Sequence, residues 1–529
     1  MPNKTASVSS ARKHLRNLAF NWGGHASTLL VMFFLSPYIV GKLDAVSYGI
    51  WSLLIVLTGY MGLFDLGVRA SVGRHVALYL GKEDAKGVDE TIRAGLGFFS
   101  LAGMGIFAIS ILIGWAFPYI FEDIPVRHHA MIRLLLPIMV INIWLTAVAA
   151  IFSSILSAYE RFDVARGVDL VVLVIRTAGT VYALEMNWGL WGLSGSIVFS
   201  NVFAVVGCYF GARRYHSALR SWPPVYSKQR LKELLDYGLS AFISSAAVNI
   251  IGKTDLVLAG MILTVASVRE YNVGYVIPSY LATFVFLIDR TMFPSLQKMV
   301  AAEKRDEIRD IFARQIRLAL CIGIPAYTGM AMYAQPFIRL WMLQEGFGES
   351  SVVLSASIMT VLSVANIPLF FIRPSVSLLA ASGHMRITAL VSIIEAFANL
   401  LLSLLFVLVF KWGLPGIAAG TLAARLLVPS VWIPVYQCKK FAGDIQKTQM
   451  MVWGRALVAG LIYAGYCFLL AHFWHPKTWP SLLLHVALGA VVWCLIGFPL
   501  LAPKGWIVSA TKRYKAYFKK LTGSARYAG

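Results

Sequence analysis

The sequence predicts an all-α membrane protein of about fourteen transmembrane helices. Three observations carry that prediction. Apolar residues fall into repeated runs of about 20, the length an α-helix needs to cross a bilayer. The 529-residue chain is 58% hydrophobic and 14% charged, where a soluble chain carries roughly 25% charged residues. Its net charge of +22 sits mostly in short connections between apolar runs, a distribution that excludes nucleic acid as the partner.

The elements follow in order. The basic segment 1–17 is read as a cytoplasmic N-terminus, and the run after it, 18–40, is too long for a signal-peptide core and lacks a small-residue cleavage site. Further runs lie at 48–68, 94–117, 134–158, 168–185 and 190–212, ending at a basic cytoplasmic linker, 213–236. A second set lies at 237–262, 274–297, 316–334, 351–382, 387–410 and 416–436. Pro368 and Pro374 predict that the long run 351–382 is bent or extends beyond the membrane. Two more runs, 451–473 and 482–501, precede a basic cytoplasmic tail, 502–529, with seven basic and no acidic residues, suited to anionic membrane lipids.

Orientation follows from Lys and Arg in the connections, which accumulate on the cytoplasmic side. With both termini inside, the inner segments hold 34 basic residues and the outer connections hold seven, Lys42, Arg127, Arg133, Arg269, Arg339, Lys411 and Lys477. Four of the five cysteines lie inside apolar runs, and Cys438 sits beside Lys439 and Lys440 in an inner connection. They read as small buried hydrophobes with no disulfide framework or metal motif.

An internal repeat is visible. Trp188-Gly-Leu-Trp-Gly-Leu-Ser-Gly195 recurs as Trp412-Gly-Leu-Pro-Gly-Ile-Ala-Ala419, 224 positions on, and Tyr48-Gly-Ile recurs as Tyr271-Asn-Val, 223 positions on. Six spans are therefore repeated as six, giving bundles at 18–212 and 237–436 with 451–501 as an appendage. An even number of spans per unit keeps both copies in one orientation, related by an axis along the membrane normal.

Ionisable groups inside the runs are the candidate functional residues. The basic ones are Arg176, Lys253, Arg290, Arg373 and Arg425. Each costs about 2.5–3.5 kcal/mol at the centre of a span unless it faces a partner or a wet cavity. Two readings stay open for them: interhelical ion pairs that fix the bundle, or a cationic lumen that receives a diphosphate, whose oxygens an Arg fork meets bidentately. Arg176 and Arg425 best suit the second, because no acidic residue lies within a helical turn of either. The acidic groups are Asp65, Asp255, Asp289 and Glu395. Asp65 can reach Arg69 one turn on. Asp255, Glu395 and His25 are candidates for ion coupling, with a structural histidine the blander reading of His25. Asn21, Asn142, Asn249, Asn366 and Asn399 could bind sugar hydroxyls or link helices. Pro278, Pro325 and Pro374 predict kinks.

Tyr48-Gly-Ile-Trp51, Gly59-Tyr-Met-Gly-Leu-Phe-Asp-Leu-Gly67, the basic loop from Arg69 to Arg74 and the turn Ser157-Ala-Tyr-Glu-Arg161 carry a family resemblance. With the glycine pairs before the sixth and twelfth spans, they resemble the polysaccharide transporter family. That family includes the O-antigen and lipid-linked oligosaccharide flippases, within the multidrug/oligosaccharidyl-lipid/polysaccharide exporter superfamily. The resemblance implies two six-helix bundles around a central cavity open alternately to either side. It also implies transport of an undecaprenyl-diphosphate-linked oligosaccharide across the bacterial inner membrane for polysaccharide biosynthesis, without a cofactor and alongside partners such as a glycan polymerase.

Two other functions compete. A membrane-embedded glycan polymerase or ligase would need a sizeable outer loop, and the longest outer connections, 118–133 and 335–350, hold few acids. No GxSxG, HExxH or metal-ligand constellation is present. A multidrug or cation antiporter would favour a carboxylate-lined lumen, whereas the deep charge here is on balance basic.

Overall fold

The computed structural model describes residues 23–24, 26–217, 219, 224, 232–235, 253–441 and 443–502, the side chains of 284–288, 290 and 291 excepted. The described residues are mostly helical, with no strand among them. Ten of their helices are long and apolar enough to cross a membrane, eleven if one bent pair counts as a span. The chain divides into two compact units, 1–269 with 344–347, and 270–343 with 348–529.

The first unit opens with α1 (Ala26–Lys42) and α2 (Ala45–Met61). Asp44 starts α2 by accepting from the Val46 and Ser47 amides, both at 3.0 Å. After a 3₁₀ turn at Gly62–Asp65, Leu66 and Gly67 take left-handed backbone conformations, φ 47° and 75°, and end the span. The basic stretch expected as a loop from Arg69 is instead α3 (Val68–Gly81). Val68, Val72 and Val76 recur every four residues and are fully buried, so one apolar stripe outweighs the charges on the other face. α4 (Ala85–Ile120) follows, capped by Asp84 on the Gly87 amide at 2.8 Å. Next come α5 (His129–Ala158), α6 (Phe162–Glu185) and α7 (Gly189–Tyr215). The helical residues 253–263 also belong to this unit. Gly49 lies so close to them that a side chain there would strike the Val265 carbonyl.

α8 (Ser267–Ala301) leads into the second unit, which continues with α9 (Arg305–Met332) and α10 (Ala334–Met342), bent 70° from each other. α11 (Glu349–Ala381) runs as one 33-residue helix through Pro368 and Pro374. α12 (Met385–Leu404), α13 (Leu414–Leu427), α14 (Pro429–Lys440), α15 (Asp444–Phe473) and α16 (Trp479–Leu501) complete it. Proline breaks in the backbone ladder are answered by side chains. Pro325 cannot donate to the Cys321 carbonyl, and the Trp493 indole does so at 2.9 Å, tying α16 to α9. Pro429 likewise frees the Arg425 carbonyl, which accepts from the Ser430 hydroxyl at 2.8 Å. Ile324, Tyr463, Cys467 and Trp493 share one buried cluster, so the last two helices pack within this unit.

Local geometry repeats at the spacing read from the sequence. Asn187 and Lys411 both have φ 56°, and Gly189 and Gly413 have φ 52° and 62°, each pair 224 positions apart. Gly179 packs on Ser196, and Ser403 packs on Gly420: the same close helix contact, with glycine and serine exchanged.

Candidate functional site

In the first unit, Arg176 lies midway along α6 and is half-buried. Its Nε is 3.5 Å from the Ser200 hydroxyl of α7, a long hydrogen bond. That hydroxyl also donates to the Ile197 carbonyl at 2.8 Å. No carboxylate pairs with Arg176 among the described residues. Lys253 is half-buried, and its ammonium lies against the backbone of α2: a side chain at Gly59 would stand 2.1 Å from Lys253 Nζ. The neighbouring Thr254 hydroxyl meets Tyr60 Oη at 3.1 Å, and Asp255 is buried on the same turn. Arg69 Nε lies 3.6 Å from Asp65 Oδ2, at the i,i+4 spacing read from the sequence. Asp65 Oδ1 accepts from the Gly67 amide at 2.6 Å, so Asp65 also shapes the turn that ends α2.

The second unit contains two polar clusters. Asp289 of α8 is buried; its Oδ2 accepts from Arg373 Nε and the Ser377 hydroxyl of α11, both at 2.8 Å. Gln315 of α9 donates to Oδ1. Three helices thus converge on one carboxylate. Arg425, in the last turn of α13, is 9% exposed. Its Nε faces Glu395 of α12 at 3.3 Å, and its Nη1 donates to the Asn366 side chain at 2.6 Å and the Ala365 carbonyl at 3.1 Å, both in α11.

Arg373 and Arg425 are therefore committed to carboxylates. For Arg425 this corrects the picture of a cation standing clear of acids. Its partner comes from a neighbouring helix 30 residues earlier, which spacing along its own helix cannot reveal. Arg176 remains without a carboxylate among the described residues. Arg290 belongs to α8, but its side chain lies outside the described residues, as do His25, Asn21 and Asn249. The described intramembrane asparagines link helices: Asn142 accepts from Asn201 of α7, and Asn399 donates to Thr421 of α13 at 2.8 Å. Position 224 beyond Asn142 is Asn366, and 224 beyond Asn201 is Arg425. The same helix contact is thus made by two amides in one unit and by an arginine and an amide in the other. Sequence reasoning missed Gln315 and Ser377, whose polar side chains in otherwise apolar helix faces were the available signal.

A polytopic helical protein that carries cations within its spans, Arg176 and Lys253 among them without a described carboxylate partner, has the architecture of a membrane transporter. The chain belongs to the lipid II flippase MurJ family, whose profile matches residues 76–488. It is 22% identical over 439 residues to a Shigella flexneri protein named for O-antigen transport, covering 81% of this chain and 99% of that one. Identity to a Haloferax volcanii protein named for low-salt glycan biosynthesis, Agl15, is also 22%, across 52% of this chain and 56% of that one. Among solved structures, an inward-facing multidrug resistance MATE transporter gives a TM-score of 0.67 at 12% identity, covering 79% of this chain and 96% of that one. The inward closed conformation of the lipid II flippase MurJ gives 0.64 at 14% identity, covering 90% and 98%. At those identities the structural likeness speaks to the fold. The flippase resemblance read from the sequence is borne out by the family match.

Proposed function

We propose that the protein flips a polyprenyl-diphosphate-linked oligosaccharide across the bacterial inner membrane by alternating access, with Arg176 as a principal contact for the diphosphate. The observation that carries this reading is an arginine half-buried in a span with no carboxylate partner among the described residues. A guanidinium so placed keeps its fork for phosphate oxygens, and the family and its glycan-exporting relatives supply the cargo class. Lys253 and Arg290 extend the cationic set, while Arg373 and Arg425 contribute to it through paired, positioned guanidinium groups. Asp255, Glu395 and His25 are the proposed ion-coupling groups. Two six-helix bundles and two added helices complete the proposal, with α1, α8 and the run 237–262 joining the apolar helices to make fourteen spans.

The test is to delete the gene in its host and follow the lipid-linked oligosaccharide. It should accumulate on the inner leaflet while surface glycan is lost, and re-expression of the chain should reverse both. Normal surface glycan in the deletion strain would exclude the reading, and drug extrusion without a glycan phenotype would favour an antiporter instead.

Orientation gives a separate prediction. Reporters fused after Lys228, Lys304 and Gly529 are expected to read cytoplasmic, and those after Glu122 and Lys477 external, because basic connections stay inside. One reporter on the wrong side would break the fourteen-span topology.

A further inference from the structure

Gly59 opens the motif Gly59-Tyr-Met-Gly-Leu-Phe-Asp-Leu-Gly67, to which the transport reading gives no role. It lies near the end of α2, against the helical residues 253–263 of the same unit. The two segments run antiparallel in close contact, since Gly49 meets Val265, Leu53 meets Gly260 and Gly59 meets Lys253. What the two α2 glycines exclude differs. A side chain at Gly49 would stand 1.9 Å from the Val265 carbonyl oxygen, so backbone would have to move. At Gly59 the obstacle is the far end of one flexible side chain, with Lys253 Nζ, Cε and Cδ at 2.1, 3.2 and 3.5 Å. Beside this notch, Tyr60 Oη meets Thr254 Oγ1 at 3.1 Å and fixes the chain one residue from Lys253.

We propose that Gly59 is a positioning residue for transport: its missing side chain is the notch that seats the Lys253 ammonium where the cargo diphosphate is received. The inference rests on the flippase reading for that diphosphate. A lysine meets phosphate as a point charge on a flexible four-carbon stem, so its placement comes from its surroundings and not from a fork. Here the notch holds the tip and the Tyr60–Thr254 bond holds the root. Any side chain at position 59 would drive Nζ from 2.1 Å to an ordinary contact of at least 3.4 Å. The internal repeat ties the glycine to the lysine. At an offset of 223 or 224, Lys253 falls on Leu30 or Leu29, and Gly59 falls on Ala282 or Thr283. The equivalent pair of positions thus has no cation and no notch.

The experiment measures binding of undecaprenyl diphosphate to the full-length protein in detergent, with membrane abundance as the control for folding. The proteins are wild type, Gly59→Ala, Lys253→Met and the double variant. Gly59→Ala should keep wild-type abundance, because only a side-chain end has to move and alanine is the better helix former. It should weaken binding about tenfold, the loss expected when a hydrogen bond to a charged group is displaced. Lys253→Met should cost a similar factor. Adding Gly59→Ala to Lys253→Met should cost nothing further, since no ammonium is left to displace. Lost abundance or wild-type binding in Gly59→Ala, or the same loss on both backgrounds, would overturn the inference and make Gly59 a packing residue. Wild type that binds no undecaprenyl diphosphate would sink the flippase reading together with it, so the two failures are distinguishable.

Discussion

Arg176→Gln is expected to leave the protein at wild-type abundance while cutting surface glycan by about tenfold or more. The fold tolerates the change because Arg176 leaves no orphan behind. It pairs with no described carboxylate, and Ser200 keeps its bond to the Ile197 carbonyl. Removing the charge even lowers the cost of holding that span in lipid, which for a central basic residue is about 2.5–3.5 kcal/mol. Transport should suffer, since hydrogen bonds to charged groups contribute about 1.5–3 kcal/mol each, and about 1.4 kcal/mol is a factor of ten. Arg176→Lys separates charge from geometry: a lysine meets phosphate as a point charge, so export should be partial. The measurements are membrane abundance by immunoblot and surface glycan, with the lipid-linked intermediate assayed on the inner leaflet. Normal glycan in the Gln variant, or glycan that falls only in step with protein, would make Arg176 a structural residue.

The contrast between Arg176 and Arg425 shows where sequence stops. Both sit in apolar runs without an acid one turn away, yet one has no described carboxylate and the other is clamped by Glu395 and Asn366. Spacing along a helix reports neighbours on that helix, whereas the pairing of Arg425 depends on which face of α12 meets α13. Asp289 repeats the lesson, since its partner is Arg373, 84 residues on. The helices themselves were legible because a run of about 20 apolar residues has one common solution in lipid. α3 was not legible, because the charges of Arg69 and Arg74 mask the Val68, Val72, Val76 stripe. The Asp65–Arg69 pair was legible, being local. The internal repeat reached further than its aromatic turns suggested, since the same offset pairs Asn142 with Asn366 and Asn201 with Arg425.

That offset also provides a template for the second large effect. The position equivalent to Glu395 is Val171, so the first repeat carries valine and two asparagines where the second carries Glu395, Asn366 and Arg425. Arg425→Asn is expected to reduce membrane abundance severely, because Glu395 is 7% exposed and would be left as an unpaired charge. Breaking a buried pair from one side costs about 3–5 kcal/mol, whereas replacing both partners with groups that pack is often neutral. The double variant Glu395→Val, Arg425→Asn, which copies the first repeat, should therefore recover abundance. The introduced amide would then face Asn366 as Asn201 faces Asn142, and no carboxylate would remain to strand. Glycan export by the double variant reads the transport role of the pair apart from its structural one. If Glu395 carries the coupling ion or Arg425 serves the cationic set, the recovered protein should still fail to export, whereas full export would assign the pair to structure. Wild-type abundance in Arg425→Asn alone, or no recovery in the double variant, would show that this ion pair does not hold α12 and α13 together.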